Sequence, residues 1–194
     1  MMPNPAPARL PASQMLAPSS LPPRQVVVNL LWFQVSWFAA VLGAANGMAW
    51  LGSLVVALNL ARHLRGAVNP KFEALLITAA ALAGGLFELF PFALGWIGYP
   101  GHATAFVPLW MIALWMNFAS VLNVSLRSLR YRPWLLALLG AVGGPAAYWG
   151  GASLGAMEWL KPLPALLYLA IGWALLTPLL ARLALRLDGF AHGH

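Results

Sequence analysis

Long apolar runs, separated by short polar or proline- and glycine-containing breaks, fill the chain after residue 25. A bilayer core about 30 Å thick is crossed by roughly 20 helical residues, because each residue adds about 1.5 Å. Six runs approach this length, and they predict an all-α membrane protein, a bundle of six transmembrane helices over residues 26–45, 49–64, 74–97, 106–126, 134–156 and 163–185. Asn46-Gly47 favours a sharp reversal, so the first two helices should be antiparallel neighbours.

The segment before the first run has a different composition. Residues 1–25 hold seven of the sixteen prolines, a pattern that favours extended backbone over a packed core. We expect a disordered Pro/Ala-rich cytoplasmic tail over 1–25, a six-helix transmembrane domain over 26–186 and a cytoplasmic C-terminal tail over 187–194.

Composition and charge agree with a membrane protein. The chain is 61% hydrophobic and 8% charged, whereas soluble domains carry about 25% charged residues. This composition excludes soluble enzymes and makes nucleic acid an unexpected partner. Ten of the eleven basic residues fall on one side of the predicted spans, and only Lys161 falls on the other. Because basic loops stay in the cytoplasm, this split predicts that both termini are cytoplasmic.

The two halves of the chain share a short pattern. Leu31-Trp32 with Trp37 recurs as Leu109-Trp110 with Trp115, each an LW-x4-W. Three spans per half would make a 3+3 inverted repeat, a plan common in transporters. A sequence rich in Ala, Leu, Trp and Gly also produces such matches by chance, so a chance similarity is the alternative to a true repeat.

Glu88 is the acidic residue that lies well inside a predicted span. An ionisable side chain at a helix centre costs roughly 2.5–3.5 kcal/mol on insertion scales, and such residues are candidates for function. Glu88 is therefore a candidate ligand-binding or proton-exchange group. The alternative is a protonated carboxyl that joins two helices by hydrogen bonds.

Glycine and proline interrupt two of the predicted spans. Pro91 cannot donate to the carbonyl of Phe87, which then needs another partner. Gly143, Gly144 and Pro145 could break the fifth helix and expose free backbone groups to a ligand, with Tyr148 offering a hydroxyl one turn later. Alternatively, the glycine-rich fifth helix packs closely against another helix, including one from a second copy or a partner membrane protein.

The fourth predicted span carries a polar stripe. Asn117, Ser120, Asn123 and Arg127 are spaced by three, three and four residues and so share one face of a helix. We expect this helix to line the bundle interior, with Asn117, Asn123 and the deep Trp115 as candidate ligand contacts. Interhelical hydrogen bonding is the alternative for each residue. No pattern of metal ligands or cofactor-binding residues is present in the sequence, so we expect neither.

Three stretches carry a resemblance to a known family. They are NLLWFQVSWFAAVLG at 29–43, VPLWMIALWMNFASVLNVSLRSL at 107–129 and GAVGGPAAYWGGASLGA at 140–156. The chain resembles a family of small multi-pass bacterial inner-membrane proteins classed as a domain of unknown function. The resemblance matches the family's intramembrane acidic residue to Glu88. It implies a location in the bacterial inner membrane and no established activity.

These observations support three functional hypotheses. The first is that the protein binds or translocates a small amphipathic or lipid-like molecule in a polar intramembrane site formed by the third, fourth and fifth spans, amid membrane lipids. The second is a membrane-embedded enzyme that modifies a lipid or isoprenoid, with Glu88 as acid or base and Tyr148 assisting. The third is a structural or assembly subunit of a larger membrane complex.

Overall fold

The computed structural model describes residues 21–102 and 104–191 of the chain, and these residues form an all-helical bundle. Most of the tail predicted over 1–25, and His192 to His194 of the predicted C-terminal tail, lie outside the described residues. The described α-helices are α1 (Pro23–Ala45), α2 (Ala49–Gly66), α3 (Pro70–Ala93), α4 (Leu109–Leu122), α5 (Pro133–Ser153) and α6 (Pro162–Arg186). A 3-10 helix covers Arg127–Tyr131, and two short strands, β1 (Ile97–Gly98) and β2 (Glu158–Trp159), join two loops.

Four of the described helices, α1, α3, α5 and α6, are long and apolar enough to cross a membrane. Many of their large apolar side chains point outward, as Leu86 does with 73% of its surface exposed. Such faces suit lipid tails and not water, so the helices define a membrane protein. Helix α2 ends in a turn that contains His63 and Arg65, and α4 has only 14 residues.

Helix α4 is shorter than the predicted span 106–126. Pro108 precedes its first turn, and the helix ends at Asn123, after which the chain turns into the 3-10 helix. Its side chains include eight buried ones, because α4 contacts α1, α2, α3 and α6. A helix with neighbours on several sides forms the centre of the bundle.

The turn between α1 and α2 has the predicted form. Gly47 has a φ of +72°, and the Asn46 side-chain amide donates to the carbonyl of Leu42 at 2.8 Å. The two helices pack closely, since a Cβ added at Gly52 would lie 2.3 Å from the Cα of Ala40. The prediction of neighbouring antiparallel helices is confirmed.

The loops that follow α3 and α5 are joined by a small antiparallel pairing. Ile97 pairs with Trp159, and Gly98 pairs with Glu158. The amides of Leu160 and Lys161 each donate to the carbonyl of Trp96 at 3.0 Å. This pairing, which the sequence pattern did not predict, fixes the chain next to Tyr99.

The predicted helix break at Gly143, Gly144 and Pro145 is wrong. Helix α5 is continuous from Pro133 to Ser153, with Pro145 inside it. Gly144 instead lies against the indole of Trp173, and a Cβ added there would be 2.3 Å from Trp173 Cγ. Close packing on α6 keeps the glycine-rich segment helical despite its low helix propensity.

Pro91 likewise lies inside a continuous helix, α3, so the predicted interruption of that helix at Pro91 is wrong. Pro91 has no N–H to donate to the carbonyl of Phe87, and this carbonyl instead accepts a hydrogen bond from the Tyr168 hydroxyl of α6 at 2.9 Å. The predicted need for another partner is therefore confirmed. This bond also ties α3 to α6 near the middle of the bundle.

Two adjacent glycines of α5 provide a matched test of this packing. We expect Gly144→Ala to destabilise the protein, because overpacking costs about 1–3 kcal/mol. Gly143→Ala is the control, since a Cβ there meets nothing within 4 Å and alanine favours the helix by about 1 kcal/mol. Thermal unfolding in mild detergent should show a lower Tm for Gly144→Ala alone; equal Tm values would contradict the packing described.

Candidate functional site

Glu88 lies at the centre of a polar site enclosed by three aromatic donors. Its carboxyl is fully buried. Oε1 accepts hydrogen bonds from Trp115 Nε1 at 2.9 Å and from the Tyr148 hydroxyl, and Oε2 faces the Tyr99 hydroxyl at 3.4 Å. We call Glu88, Tyr99, Trp115 and Tyr148 the Glu88 site. It joins α3, α4, α5 and the loop after β1.

Two stacked indoles hold the site together. The rings of Trp115 and Trp173 are 4.4 Å apart at the centroids and 15° from parallel. Gly84, one turn before Glu88, leaves room for Trp115, because a Cβ there would lie 2.0 Å from its Cγ. Gly144 makes the same room for Trp173 on the other side. The stack therefore fits between two glycines, one on α3 and one on α5.

Tyr99 reaches the site from the loop after α3. It is buried, and its ring packs edge-on against Trp110 at 5.8 Å and tilted against Phe92 at 5.6 Å. The β1–β2 pairing begins two residues before it. Because neighbouring rings and backbone pairing both hold Tyr99, its hydroxyl is kept near the Glu88 carboxyl.

A small cavity adjoins the site on the side of Trp115 and Tyr148. Its volume is about 80 Å³, and α1, α4, α5 and α6 all contribute to its apolar lining. Trp115 and Tyr148 line the cavity with their rings and donate to Glu88 with their polar atoms. The two side chains thus connect the cavity to a carboxyl that does not itself line it.

A larger groove of about 450 Å³ lies next to the cavity. Helices α1 and α5 form its sides, while Phe118 and Trp173 lie between them. Gly143 lines the groove and has open space in front of it. The cavity and the groove share the lining residues Phe33, Trp37, Phe118, Ala147 and Trp173. We call these two adjacent apolar spaces, which lie side by side next to the Glu88 site, the passage.

Asn117 is not part of the Glu88 site. It follows Trp115 by two residues, and two helical residues rotate a side chain by about 200°. The Asn117 amide donates to the carbonyl of Phe33 at 3.0 Å, and its oxygen accepts from Asn59 at 2.8 Å. Asn59 in turn accepts from Arg62 at 3.0 Å. These bonds join α4 to α1 and α2, so the structure gives Asn117 an interhelical role.

Asn123 belongs to a second polar centre, at the end of α4. It donates to Glu73 Oε1 at 2.6 Å and to the carbonyl of Leu187 at 2.8 Å, and it accepts from Arg130. Glu73 also contacts His63 Nε2 at 2.8 Å and accepts from the amide of Gly189 at 2.8 Å. We call this the charged cluster; its members are His63, Glu73, Asn123, Arg127, Arg130 and Asp188.

Asp188 ties the end of the described chain to the charged cluster. Its carboxylate accepts from Arg127 Nη1 at 3.0 Å and from Arg130 Nη2 at 2.9 Å. Phe190, two residues later, is buried and packs on His63 with ring centroids 5.0 Å apart. The segment after α6 is therefore docked on the bundle up to Phe190.

Several of these residues were missed by reasoning from sequence. No sequence pattern distinguished Tyr99 and Trp173, because single aromatic residues are common in an apolar chain. Glu73 and His63 lie ten residues apart across a short loop, and this spacing could have suggested a pair. Asp188 is the sole acidic residue after Glu158, and its basic surroundings were the available signal.

The fold and the buried polar site define an α-helical membrane protein. Over residues 26–179 the chain matches the model of a family described as "Protein of unknown function (DUF2878)", and it belongs to that family. This confirms the resemblance to a family of unknown function. Searches among curated proteins and among solved structures gave no match.

The charged cluster predicts a pH-dependent contribution to stability. Burial by itself raises the pKa of Asp188, but hydrogen bonds and charges from Arg130 and Arg127 outweigh it and lower the pKa below its usual 3.8. A lowered pKa means that folding favours the ionised form, so the stabilisation is present above pH 3.8 and is lost as the pH falls through the folded-state value.

We therefore expect Asp188→Asn to lower the Tm at neutral pH, by an amount that shrinks as the pH falls below 4. Thermal unfolding in detergent across this range measures the difference from the unmodified chain. Glu158→Gln is the control, because Glu158 is exposed and its removal changes the net charge equally. A Tm difference that stays constant with pH would contradict the ion pairs described.

Proposed function

We propose that this protein binds one amphipathic, lipid-like molecule inside its helix bundle, with the apolar tail in the α1–α5 groove and the polar end in the cavity beside the Glu88 site. The observation that carries the proposal is that the two spaces are adjacent and share Ala147 and Trp173 among their linings. In this arrangement the tail lies in the groove while the polar end lies beside the Glu88 site.

The polar end of such a molecule must provide most of the selectivity. A lipid tail gains little from leaving a bilayer for an apolar groove, since both surroundings are equally apolar. The gain must come from packing and from interactions at the polar end. The Tyr148 and Trp115 rings, bonded to a buried carboxyl, are the groups that offer such interactions.

We further propose that all six helices span the inner membrane of a bacterium and that both termini are cytoplasmic. Ten of eleven basic residues on one side support this orientation. The 14 residues of α4 reach about 21 Å, which is less than a full bilayer core. Its neighbours surround it, and the turn that follows it adds to the distance that the chain covers across the membrane. The 3+3 inverted repeat stays a prediction.

The absence of native cysteine makes the orientation directly testable. Thr104→Cys places a thiol in the loop between α3 and α4, and Ser128→Cys places an exposed thiol beside the charged cluster. With a membrane-impermeant maleimide, we expect labelling of Thr104→Cys in right-side-out vesicles and of Ser128→Cys only in inside-out vesicles. The opposite pattern would overturn the orientation, and labelling of both from one side would overturn the six-span arrangement.

The binding proposal predicts a co-purifying molecule that depends on the passage. Ala147→Phe should fill the junction between cavity and groove. Val142→Phe is the control on the same helix, because Val142 is 63% exposed on the lipid side and lines neither space. Native mass spectrometry should find a bound amphipathic molecule in the unmodified chain and in Val142→Phe, and at least tenfold less in Ala147→Phe.

Equal occupancy in the two variants, or none in the unmodified chain, would contradict binding in the passage. Lipid extracts of membranes with and without the protein distinguish the further hypotheses. A new chemical species would favour the lipid- or isoprenoid-modifying enzyme, while an altered distribution between leaflets would favour translocation. A stoichiometric protein partner without a bound molecule would favour the assembly subunit.

A further inference from the structure

Among the buried acidic residues that the structure describes, Glu88 is the one that contacts no basic side chain. Glu73 contacts His63, and Asp188 pairs with two arginines, whereas Glu158 is exposed. Within residues 21–102 and 104–191, the groups bonded to Glu88 are the neutral donors Tyr99, Trp115 and Tyr148. A buried carboxylate is stable when a positive charge compensates it. The ionised form of Glu88 therefore needs a cation that the described residues do not supply.

The cavity beside this carboxyl is lined largely by aromatic rings. Seven of its lining residues are aromatic, namely Phe33, Trp37, Trp110, Trp115, Phe118, Tyr148 and Trp173. The faces of aromatic rings attract cations, and aromatic cages recognise quaternary ammonium groups. Because Trp115 and Trp173 are stacked on each other, the rings that can offer a face are among the other five. Metal cations prefer oxygen or nitrogen ligands, which an apolar lining does not offer. The lining thus favours an organic cation over an inorganic one.

Trp115 and Tyr148 couple the cavity to the carboxyl. Each ring lines the cavity, and each donates its polar hydrogen to Glu88 Oε1. Donation to a carboxylate polarises the donor. Because the Trp115 ring is stacked on Trp173 and lies against Gly84, the ring on which this polarisation can strengthen the attraction for a cation is that of Tyr148. The negative charge also acts through a medium of low dielectric constant. A cation in the cavity is therefore stabilised by Glu88 without touching it.

We propose that the polar end of the bound molecule is an organic cation, a tertiary or quaternary ammonium with apolar substituents, held in the aromatic cavity against the ionised Glu88. This rests on the proposed function, since the same passage holds the apolar part. A cavity of about 80 Å³ suits a small head of this kind, and the groove takes the tail.

The groups around Glu88 allow a proton to be exchanged for the cation. The titratable side chains bonded to it are Tyr99 from the loop and Tyr148 from α5. Tyr168 of α6 donates to the neighbouring Phe87 carbonyl at 2.9 Å, and His102 packs against Tyr99 with ring centroids 6.5 Å apart. The tyrosines act as donors and leave Glu88 as the group that loses a proton when the cation binds. Binding should therefore tighten as the pH rises.

Two probes of nearly equal shape test the charge requirement. Benzyltrimethylammonium carries the cation, and neopentylbenzene replaces the charged nitrogen by carbon. Binding of each probe to the full chain in lipid nanodiscs is followed by tryptophan fluorescence, with empty nanodiscs subtracted. We expect Glu88→Gln to weaken binding of the cation at least tenfold and to leave binding of the neutral probe unchanged, which also shows that the variant is folded.

Two further variants sharpen the result. Glu88→Asp keeps the charge and should retain most of the cation binding, whereas the exposed control Glu158→Gln should retain all of it. The pH dependence of cation binding should disappear in Glu88→Gln.

Equal binding of the cation by the unmodified chain and Glu88→Gln would overturn the cation proposal. If Ala147→Phe still abolished binding of the neutral probe in that case, the proposed function would stand. If Ala147→Phe affected neither probe, the proposed function would fall as well.

Discussion

Hydrocarbon offers no hydrogen bonds, so every polar group inside a membrane-spanning bundle must find its partner in the protein. This constraint explains why large apolar side chains are on the outside of this protein while twelve polar or charged side chains of residues 21–102 and 104–191 are buried. The buried residues are not scattered: most of them bond to residues on another helix. Their hydrogen bonds join α4 to α1, α2 and α3, while close packing at glycines joins α1 to α2 and α5 to α6.

The buried polar groups form two centres with different characters. The charged cluster at the end of α4 is saturated by opposite charges and backbone groups, and it holds together α2, α3, α4 and the segment after α6. The Glu88 site has a carboxyl with three neutral donors and a cavity next to it. The polar groups of the charged cluster are partnered within the protein, whereas the Glu88 site has room beside it for a further molecule.

Close packing makes the second arrangement possible. Glycines at Gly84 and Gly144 admit two stacked indoles into the centre of the bundle, and the large rings then leave an irregular space beside them. The same glycine-rich α5 leaves its other face, at Gly143, open to the groove. One helix therefore supports both the aromatic stack and the passage to it.

The sequence by itself determined the class of protein, the six helices and the interior place of Glu88. These follow from local properties, namely run length, turn residues such as Asn46-Gly47 and the cost of a carboxyl in hydrocarbon. It also indicated that the carbonyl of Phe87 needs a new partner, since the effect of Pro91 is local.

Only the tertiary structure decided what each polar residue bonds to. Asn117 and Asn123 share one polar stripe, but neither belongs to the Glu88 site. Each side chain forms a hydrogen bond to a residue on another helix. Tyr99 enters from a loop, and the segment from Gly143 to Pro145 stays helical with Gly144 packed on Trp173 of α6. The physical reason is that a helix facing lipid on one side and protein on the other is apolar on both, so periodicity does not reveal which face turns inward or which neighbour it meets.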